Sequence, residues 1–268
     1  MPEGHTLHRL ADDLSTAFAG TSPRVSSPQG RMSEAAALVD GTELESASAH
    51  GKHLFLDFAG DRVIHVHLGL IGKFTLTPFA PPTGQVRLRL ANDETAADLR
   101  GPQLCALRTP AEVSAQVAKL GPDPLRTDAD PELAWRKIQR SGKPIAALLM
   151  DQSVLSGVGN VYRAEVLFRN RLSPMTPGNQ LRRQSWRAIW SDLVELMPIG
   201  VRDNRIDTVR DEHTPEVMGR PPRRDDHGGE VYVYRRNGMD CLVCGREVRT
   251  QLLEGRNLFW CATCQRRR

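Results

Sequence analysis

Residues 241–264 read CLVCGREVRTQLLEGRNLFWCATC, and the cysteines in this segment strongly constrain the folded chain. They form two pairs, Cys241 with Cys244 and Cys261 with Cys264, and two residues separate the members of each pair. This spacing gathers four thiolates around one tetrahedral ion, usually Zn²⁺. Because four protein ligands leave no room for a reactive water, the sequence predicts one structural zinc ion. A redox dithiol and unpaired thiols are the alternatives.

The segment between the two cysteine pairs has the pattern of a β-hairpin. Residues 249–253 and 258–260 are predicted to be its strands, and residues 254–257 its turn. Arg256 is then expected at the tip of a hairpin that the metal stiffens.

Upstream of the hairpin the chain has helical periodicity. Apolar residues recur at helical spacing in four segments: 131–140, 144–151, 160–169 and 179–197. Three prolines are expected to separate or end these helices: Pro174, Pro177 and Pro198. Residues 203–229 are rich in Arg, Asp, Pro and Gly and have no apolar periodicity, so they are predicted to form a mobile loop.

The first part of the chain is predicted to be a helix followed by strands. Apolar residues recur every three or four positions from Leu7 to Ala17, and this pattern stops near Gly20. From residue 53 the period changes to two, which predicts a hairpin of strands 53–58 and 63–68. A further strand is predicted around residues 86–90.

These patterns predict an α+β protein. A β-rich N-terminal domain with a leading helix spans residues 1–118, and a linker that begins around Gly121-Pro122-Asp123-Pro124 spans residues 119–130. A helical domain with the mobile loop spans residues 131–228, and the zinc finger spans residues 229–268. At 268 residues the chain is long enough for more than one domain.

The charge is unevenly distributed along the chain. Residues 1–118 contain 10 Lys and Arg against 13 Asp and Glu, whereas residues 119–268 contain 26 against 19, within a net charge of +4. A surface that binds nucleic-acid phosphates needs such a basic excess, although solvated surface charge explains it equally well.

The sequence predicts a protein of the cytoplasm. No apolar run approaches the length of a membrane span, and Glu3, His5 and Asp12 interrupt the apolar core that a signal peptide needs. We therefore expect no membrane partner.

The N-terminus has the chemistry of a nucleophile. Removal of the initiator methionine leaves Pro2 with a secondary amine, and α-amino groups titrate at about 7.7–8.0, so part of the population is neutral near pH 7. Attack of this amine on a sugar anomeric carbon gives an iminium, an electron sink that promotes elimination of phosphate. Glu3 lies next to the amine and can move protons. Many proteins begin Met-Pro-Glu without any catalytic role, so these residues decide little alone.

In combination, these motifs resemble the formamidopyrimidine-DNA glycosylase and endonuclease VIII family over nearly the whole chain. The shared features are the Met-Pro-Glu-Gly opening that leads into a helix, the strand that begins Gly51-Lys52-His53-Leu54, and the four-cysteine finger. The Met-Pro-Glu-Gly opening is more similar to the endonuclease VIII branch, of the actinobacterial type. The resemblance implies a catalytic N-terminal β-sandwich with Pro2 as Schiff-base nucleophile, Glu3 as proton-handling carboxylate and Lys52 as the lysine beside the lesion.

The same resemblance implies the DNA contacts of the C-terminal part. The segment 155–162, LSGVGNVY, is similar to the family's helix-two-turn-helix motif, and it implies that Asn160 binds a phosphate at a helix N-terminus. Arg256 of the finger is implied to bind phosphates on the other side of the lesion. Arg163 and Glu165 match family positions that support the active site. The alternatives are a helix N-cap for Asn160 and a surface charge for Glu165.

One hydrophobic residue is implied to fill the gap that an everted nucleotide leaves in the duplex. Leu70 matches the family's wedge position, and core packing is the alternative. Nearby, His65 and His67 share a strand face, but without a third ligand in view we expect a structural role for them.

The resemblance implies a bifunctional DNA glycosylase and AP lyase of base excision repair. Its expected partner is damaged, mainly double-stranded DNA, and we expect a monomer without a nucleotide cofactor. Pyrimidine lesions are favoured, because the arginine-phenylalanine pair of the formamidopyrimidine branch is not evident around residues 100–108. An 8-oxoguanine-specific enzyme and a non-catalytic zinc-finger relative are the alternatives. A zinc nucleobase deaminase is excluded, because it needs an open metal position.

Overall fold

The computed structural model describes residues 2–224 and 229–266. The chain divides into two compact units, Met1–Lys119 and Leu120–Arg268. Among the described residues, no helix combines the length and the apolar character that a membrane span requires.

The first unit consists of two antiparallel sheets with a leading helix. In chain order its elements are α1 Gly4–Phe18, β1 Arg24–Ser26, α2 Ser33–Val39, β2 Leu44–His50, β3 His53–Phe58, β4 Arg62–His67, β5 Lys73–Pro78, β6 Leu88–Ala91, β7 Thr95–Arg100, β8 Leu104–Arg108 and α3 Pro110–Val117. One sheet has the strand order β1-β6-β7-β5, and the other has the order β2-β3-β4-β8. Apolar side chains from both sheets and from α1 form a single core.

The β3–β4 hairpin shows how the sequence sets the register of this unit. Its turn contains Gly60 and Asp61, both at positive φ, so β4 begins at Arg62, one residue earlier than predicted. In the resulting register Leu56 pairs with Ile64, and both side chains are fully buried. A shift of one residue would move Ile64 to the opposite face of the sheet, away from the core that it shares with Leu56, so the core fixes the register.

The second unit contains helices and a C-terminal hairpin. Its elements are α4 Pro131–Gln139, α5 Ile145–Leu148, α6 Asn160–Arg169, α7 Arg183–Asp203, α8 Pro215–Met218, β9 Arg249–Leu253 and β10 Arg256–Trp260. Helices α4 to α7 and the hairpin share one core. Together with the first unit, this arrangement confirms the predicted α+β fold class.

Helix α7 continues through Pro198, so the prediction that this proline ends a helix was wrong. A proline inside a helix costs roughly 3 kcal/mol, because it removes a hydrogen bond and crowds the carbonyl four residues earlier. That carbonyl belongs to Val194, which is exposed. Burial of the neighbouring Leu193, Leu196 and Met197 offsets the cost.

The predicted loop at 203–229 contains local structure in its described part. Helix α8 lies within it, and Arg220 forms a 2.7 Å ion pair with Glu230 just beyond its end. Residues 225–228 lie outside the described residues. The mobility of this loop remains a prediction.

Candidate functional site

Pro2 and Glu3 lie directly in front of helix α1. Glu3 is the N-cap residue and is fully buried, and its carbonyl accepts a hydrogen bond from the backbone N–H of Thr6 at 3.0 Å. The positive end of the helix dipole favours a carboxylate at this position and disfavours a protonated amine. Pro2 and Glu3 are therefore adjacent at the positive end of α1.

His5 is a residue of this region that the sequence analysis did not assign a role. Burial, followed by the positive charges of the chain's amino group and of His8, lowers the pKa of His5 to about 4. At neutral pH a neutral imidazole therefore lies near the amino terminus. The apolar periodicity predicted the buried face of α1, but it did not predict that His5 lies on that face.

Lys52 lies in the tight turn between β2 and β3. His50 and His53 pair across this turn, and Gly51 has φ +59°, a conformation that glycine adopts without strain. Lys52 itself is half-buried. Because β3 begins at this turn, the lysine lies at one end of the strands of the β2-β3-β4-β8 sheet.

The loop that contains Leu70 lies at the same end of these strands. His53, the first residue of β3, pairs with His67, the last residue of β4. Beyond His67 the chain turns, and the backbone N–H of Gly69 donates to His67 Nδ1 at 3.1 Å. The side chain of Leu70 is 53% exposed, so the core-packing alternative for this residue was wrong. Its role as a wedge remains a prediction.

A third histidine joins the pair that the sequence analysis identified. His53 Nδ1 lies 2.8 Å from His65 Nε2, and the ring centroids of His53 and His67 are 4.9 Å apart. Among the described residues, the four cysteines are the one group of ligands close enough together to hold a metal ion. The three histidines do not form such a group. Sequence periodicity missed His53, because it lies on a different strand.

The imidazoles of this cluster have lowered pKa values. Burial, with smaller contributions from neighbouring histidines and Lys52, lowers the pKa of His53 to about 3. Burial and the positive charge of Arg108 lower the pKa of His65 to about 4. The pKa of His67 is also lowered, first by burial and then by Lys52. The cluster is therefore uncharged at neutral pH.

In the second unit, a glycine turn positions the N-terminus of α6. Gly157 has φ +84°, and its N–H donates to the side-chain oxygen of Gln152 at 3.0 Å. The amide nitrogen of Gln152 donates to the carbonyl of Val158 at 3.0 Å, so one side chain braces the turn. The N-cap residue is Gly159, and Asn160 is the first residue of α6. The interpretation of Asn160 as a simple N-cap was therefore wrong.

Asn160 and Arg163 connect α6 to the C-terminal hairpin. Asn160 Nδ2 donates to the backbone carbonyl of Asn257 at 3.0 Å. Arg163, which is 1% exposed, donates to Asn160 Oδ1 and also to the carbonyls of Ala146 and Asn257. This places Arg163 behind Asn160 as a support and not at a DNA-contacting surface.

Glu165 is an internal residue, so the surface-charge alternative was wrong, and the structure does not offer its carboxylate for DNA contact. The side chain is fully buried and accepts hydrogen bonds from three consecutive backbone N–H groups, those of Tyr232, Val233 and Tyr234, at 2.7 to 2.9 Å. The hydroxyl of Thr208 donates a fourth bond at 2.6 Å. Glu165 therefore fastens α6 to the segment that leads into the finger.

The tip of the hairpin differs from the prediction. Its turn has two residues, Glu254 and Gly255, both at positive φ, which corresponds to the tight turn typical of two-residue hairpins. Arg256 is therefore the first residue of β10 and not part of the turn. It follows the tip directly, and the next residue is Asn257, the acceptor for Asn160.

The four cysteines come together next to this hairpin. Their sulfur atoms all lie within 4.8 Å of one another, with Cys241 Sγ 3.9 Å from Cys264 Sγ and Cys244 Sγ 3.5 Å from Cys261 Sγ. Metal–sulfur bonds of about 2.3 Å in a tetrahedron require sulfur separations of about 3.8 Å. The four-cysteine site therefore has the dimensions of a site for one metal ion.

Both units match established family models. Residues 1–103 match the formamidopyrimidine-DNA glycosylase N-terminal domain, and residues 120–211 match the formamidopyrimidine-DNA glycosylase H2TH domain, where H2TH stands for helix-two-turn-helix. The second match contains Asn160, Arg163 and Glu165.

Similar proteins extend over the whole chain. Endonuclease 8 1 of Mycobacterium tuberculosis is 51% identical over 273 residues, which cover 99% of this chain and 100% of the relative. A probable endonuclease 8 2 of Streptomyces coelicolor is 32% identical, with 99% and 94% covered. The structure of Lactococcus lactis Fpg in complex with DNA containing an abasic site superposes with a TM-score of 0.80 at 21% identity, over 99% of this chain and 100% of that chain. The chain belongs to the formamidopyrimidine-DNA glycosylase and endonuclease VIII family of base excision repair, whose members are DNA glycosylases with AP lyase activity.

Proposed function

We propose that this DNA glycosylase and AP lyase removes oxidised bases, with a preference for pyrimidines, through a Schiff base on Pro2. It then nicks the strand by successive β- and δ-elimination. The observation that carries the proposal is the position of Pro2 and the buried Glu3 at the positive end of α1. The proposed preference for pyrimidines rests on residues 100–108, where the arginine-phenylalanine pair of the formamidopyrimidine branch is not evident.

Pro2 and Glu3 are proposed to carry out different parts of the reaction. The neutral amine of Pro2 attacks the sugar C1′, so that a carbon–nitrogen bond forms as the bond to the base breaks. The base leaves with a proton, and Glu3 is placed to handle the protons of the amine and the sugar. The C1′–O4′ bond then breaks as O4′ takes a proton, and the resulting iminium makes the C2′ hydrogen acidic. Its loss expels the 3′ phosphate, and a second elimination expels the 5′ phosphate.

Lys52, Leu70, Asn160 and Arg256 are proposed to hold the damaged duplex. Asn160 and Arg256 bind backbone phosphates, which positions the DNA without specifying its sequence. Leu70, whose side chain is exposed, fills the space that the everted nucleotide leaves, and Lys52 contacts the DNA beside the lesion. We propose that the enzyme acts as a monomer on double-stranded DNA, without a nucleotide cofactor. Its proposed location is the bacterial cytoplasm, associated with the nucleoid when it acts.

We further propose that the metal at the four cysteines is one structural Zn²⁺. Thiolates suit this ion, and its role is to hold the hairpin that presents Arg256. Metal analysis of freshly purified protein is expected to return one zinc per chain. Substitution of Cys244 by Ser should reduce this content, and substitution of Cys105 by Ser should not. A wild-type protein with substantially less than one equivalent of zinc would contradict the assignment.

Borohydride trapping tests the mechanism. The protein is incubated with a duplex that carries one abasic site, and the imine is reduced to a stable protein–DNA adduct. We expect an adduct with a C-terminally tagged protein and none with an N-terminally extended protein, because only the first has a free Pro2 amine. An adduct of equal yield with both would place the nucleophile elsewhere.

A lesion panel tests the substrate preference. Matched duplexes carry one oxidised pyrimidine or one 8-oxoguanine opposite cytosine, and initial rates are compared at equal enzyme concentration. We expect faster cleavage of the pyrimidine duplex. Faster cleavage at 8-oxoguanine would favour the formamidopyrimidine type of specificity, for which the N-terminal domain match is a reason to run the comparison.

A further inference from the structure

Two histidines of the first unit form a hydrogen-bonded pair next to Lys52. His53 follows Lys52 in the chain and begins β3, while His65 lies on the neighbouring strand β4. Their nitrogens His53 Nδ1 and His65 Nε2 are 2.8 Å apart, and His65 is only 3% exposed. We propose that this pair positions Lys52 for base removal, an inference that rests on the proposed role of Lys52.

The pair fixes the end of the turn that carries the lysine. Backbone pairing between His50 and His53 closes the turn, and the side-chain bond from His53 to His65 adds a second attachment to β4. Strand β4 lies between β3 and β8, so it is held on both sides. A displacement of 1 Å at a reacting centre can cost a factor of about 100 in rate, so the restraint of this turn bears directly on the position of the lysine.

The imidazole pair also provides this attachment without adding charge beside Lys52. The positive charge of Lys52 contributes to the lowered pKa values of both His53 and His67. The titratable and charged groups that face the pair are His50, Lys52, His67, Arg108, Glu112 and Lys119. Most of these are cationic or become so in acid, so protonation of either imidazole would work against the ammonium of Lys52.

Two matched sets of variants test the inference. His53 uses Nδ1, which the side-chain amide of Asn mimics, and His65 uses Nε2, which that of Gln mimics. We expect His53→Leu and His65→Leu to lower the single-turnover rate of base removal by roughly tenfold, in the range of a displaced catalytic group. His53→Asn and His65→Gln should restore most of that rate. Cleavage at a preformed abasic site should change by less than about twofold, because the base has already gone and only the chemistry of Pro2 remains.

A double-mutant cycle with Lys52→Ala separates positioning from general damage to the fold. If His53 acts through Lys52, His53→Leu has no further effect on base removal in a Lys52→Ala background. Additive losses, or equal losses in base removal and abasic-site cleavage, would overturn the inference. Wild-type protein with no activity on any lesion would instead refute the proposed function, so the two failures are distinguishable.

Discussion

The side-chain amide of Asn160 donates a hydrogen bond to the backbone carbonyl of Asn257, 3.0 Å away. Asn160 begins α6, and Asn257 follows Arg256 at the start of β10. Buried Arg163 donates to both residues. Asn160 is therefore bonded to the residue that directly follows Arg256, so a change at one of the two predicted phosphate contacts is expected to move the other.

Asn160→Ala should weaken DNA binding more than the loss of one phosphate contact explains. It removes the bond to Asn257, worth about 1 kcal/mol, and it leaves the adjacent Arg256 less restrained. We expect an affinity loss of roughly tenfold to a hundredfold for a duplex with an abasic-site analogue, measured as the dissociation constant at fixed salt. Asn179→Ala, at an exposed position outside this network, is the control.

The connection itself is measurable with Arg256→Ala. In a cycle with Asn160→Ala, we expect a coupling energy of about 1 kcal/mol, as is found for residues coupled through a shared backbone shift. Strict additivity of the two binding losses would show that the network does not transmit the effect.

Leu70→Ala should slow base removal while leaving stability unchanged. The side chain is 53% exposed, so little buried area is lost, whereas a shorter side chain fills the gap in the duplex less well. We expect a rate reduction of roughly tenfold, equivalent to about 1.4 kcal/mol, in single-turnover base release. The control is Ile71→Ala, at an adjacent position that is 81% exposed. Equal effects of the two substitutions would argue against a specific wedge at Leu70.

Glu165→Ala should strongly destabilise the second unit. The substitution leaves three buried backbone N–H groups and one hydroxyl without their acceptor, and an unsatisfied buried group costs about 1–3 kcal/mol. We expect the free energy of unfolding to fall by several kcal/mol, roughly 3–5, in urea denaturation. Glu216→Ala, which changes an exposed side chain on α8, should change it by less than about 0.5 kcal/mol. A loss no larger than that of the control would show that the bonds are not needed.

Acid should destabilise the first unit below about pH 6.5. The pKa values of His5, His53 and His65 are lowered from 6.5 to about 4, 3 and 4, so below pH 6.5 the unfolded chain binds protons that the folded chain does not. Stability is therefore complete above pH 6.5 and falls as the pH decreases towards these values, by at most about 1.4 kcal/mol per pH unit for each histidine.

Urea midpoints at pH 7.5 and pH 5.5 measure this effect, which at these values precedes the titration of ordinary carboxylates. The double variant His53→Asn with His65→Gln keeps the hydrogen bond without the titration, so its midpoint should change less with pH. An unchanged pH dependence in that variant would mean that other groups carry the acid sensitivity.

The sequence by itself determined the features that depend on local spacing. The cysteine pairs predicted a four-ligand cluster, and the structure places the four sulfur atoms at metal-site distances. The period of apolar residues predicted α1, the β3–β4 hairpin and α6, because burial of one face imposes a repeat of 3.6 or 2 residues. The Met-Pro-Glu-Gly opening, with the finger, indicated a family that the full-length similarity confirms.

Only the tertiary structure decided which distant residues meet. Asn160 and Asn257 are 97 positions apart, and Glu165 reaches backbone N–H groups 67 to 69 positions away. His53 joins His65 because strand register places them together, and Pro198 is tolerated inside α7 because burial of neighbouring apolar side chains offsets its cost. Such contacts depend on how complete elements pack, a property that residue spacing along the chain does not encode. The periodicity of apolar residues therefore predicted where the helices and strands lie. Packing of these elements decided the hydrogen-bond partners of four residues: Asn160, Arg163, Glu165 and His53.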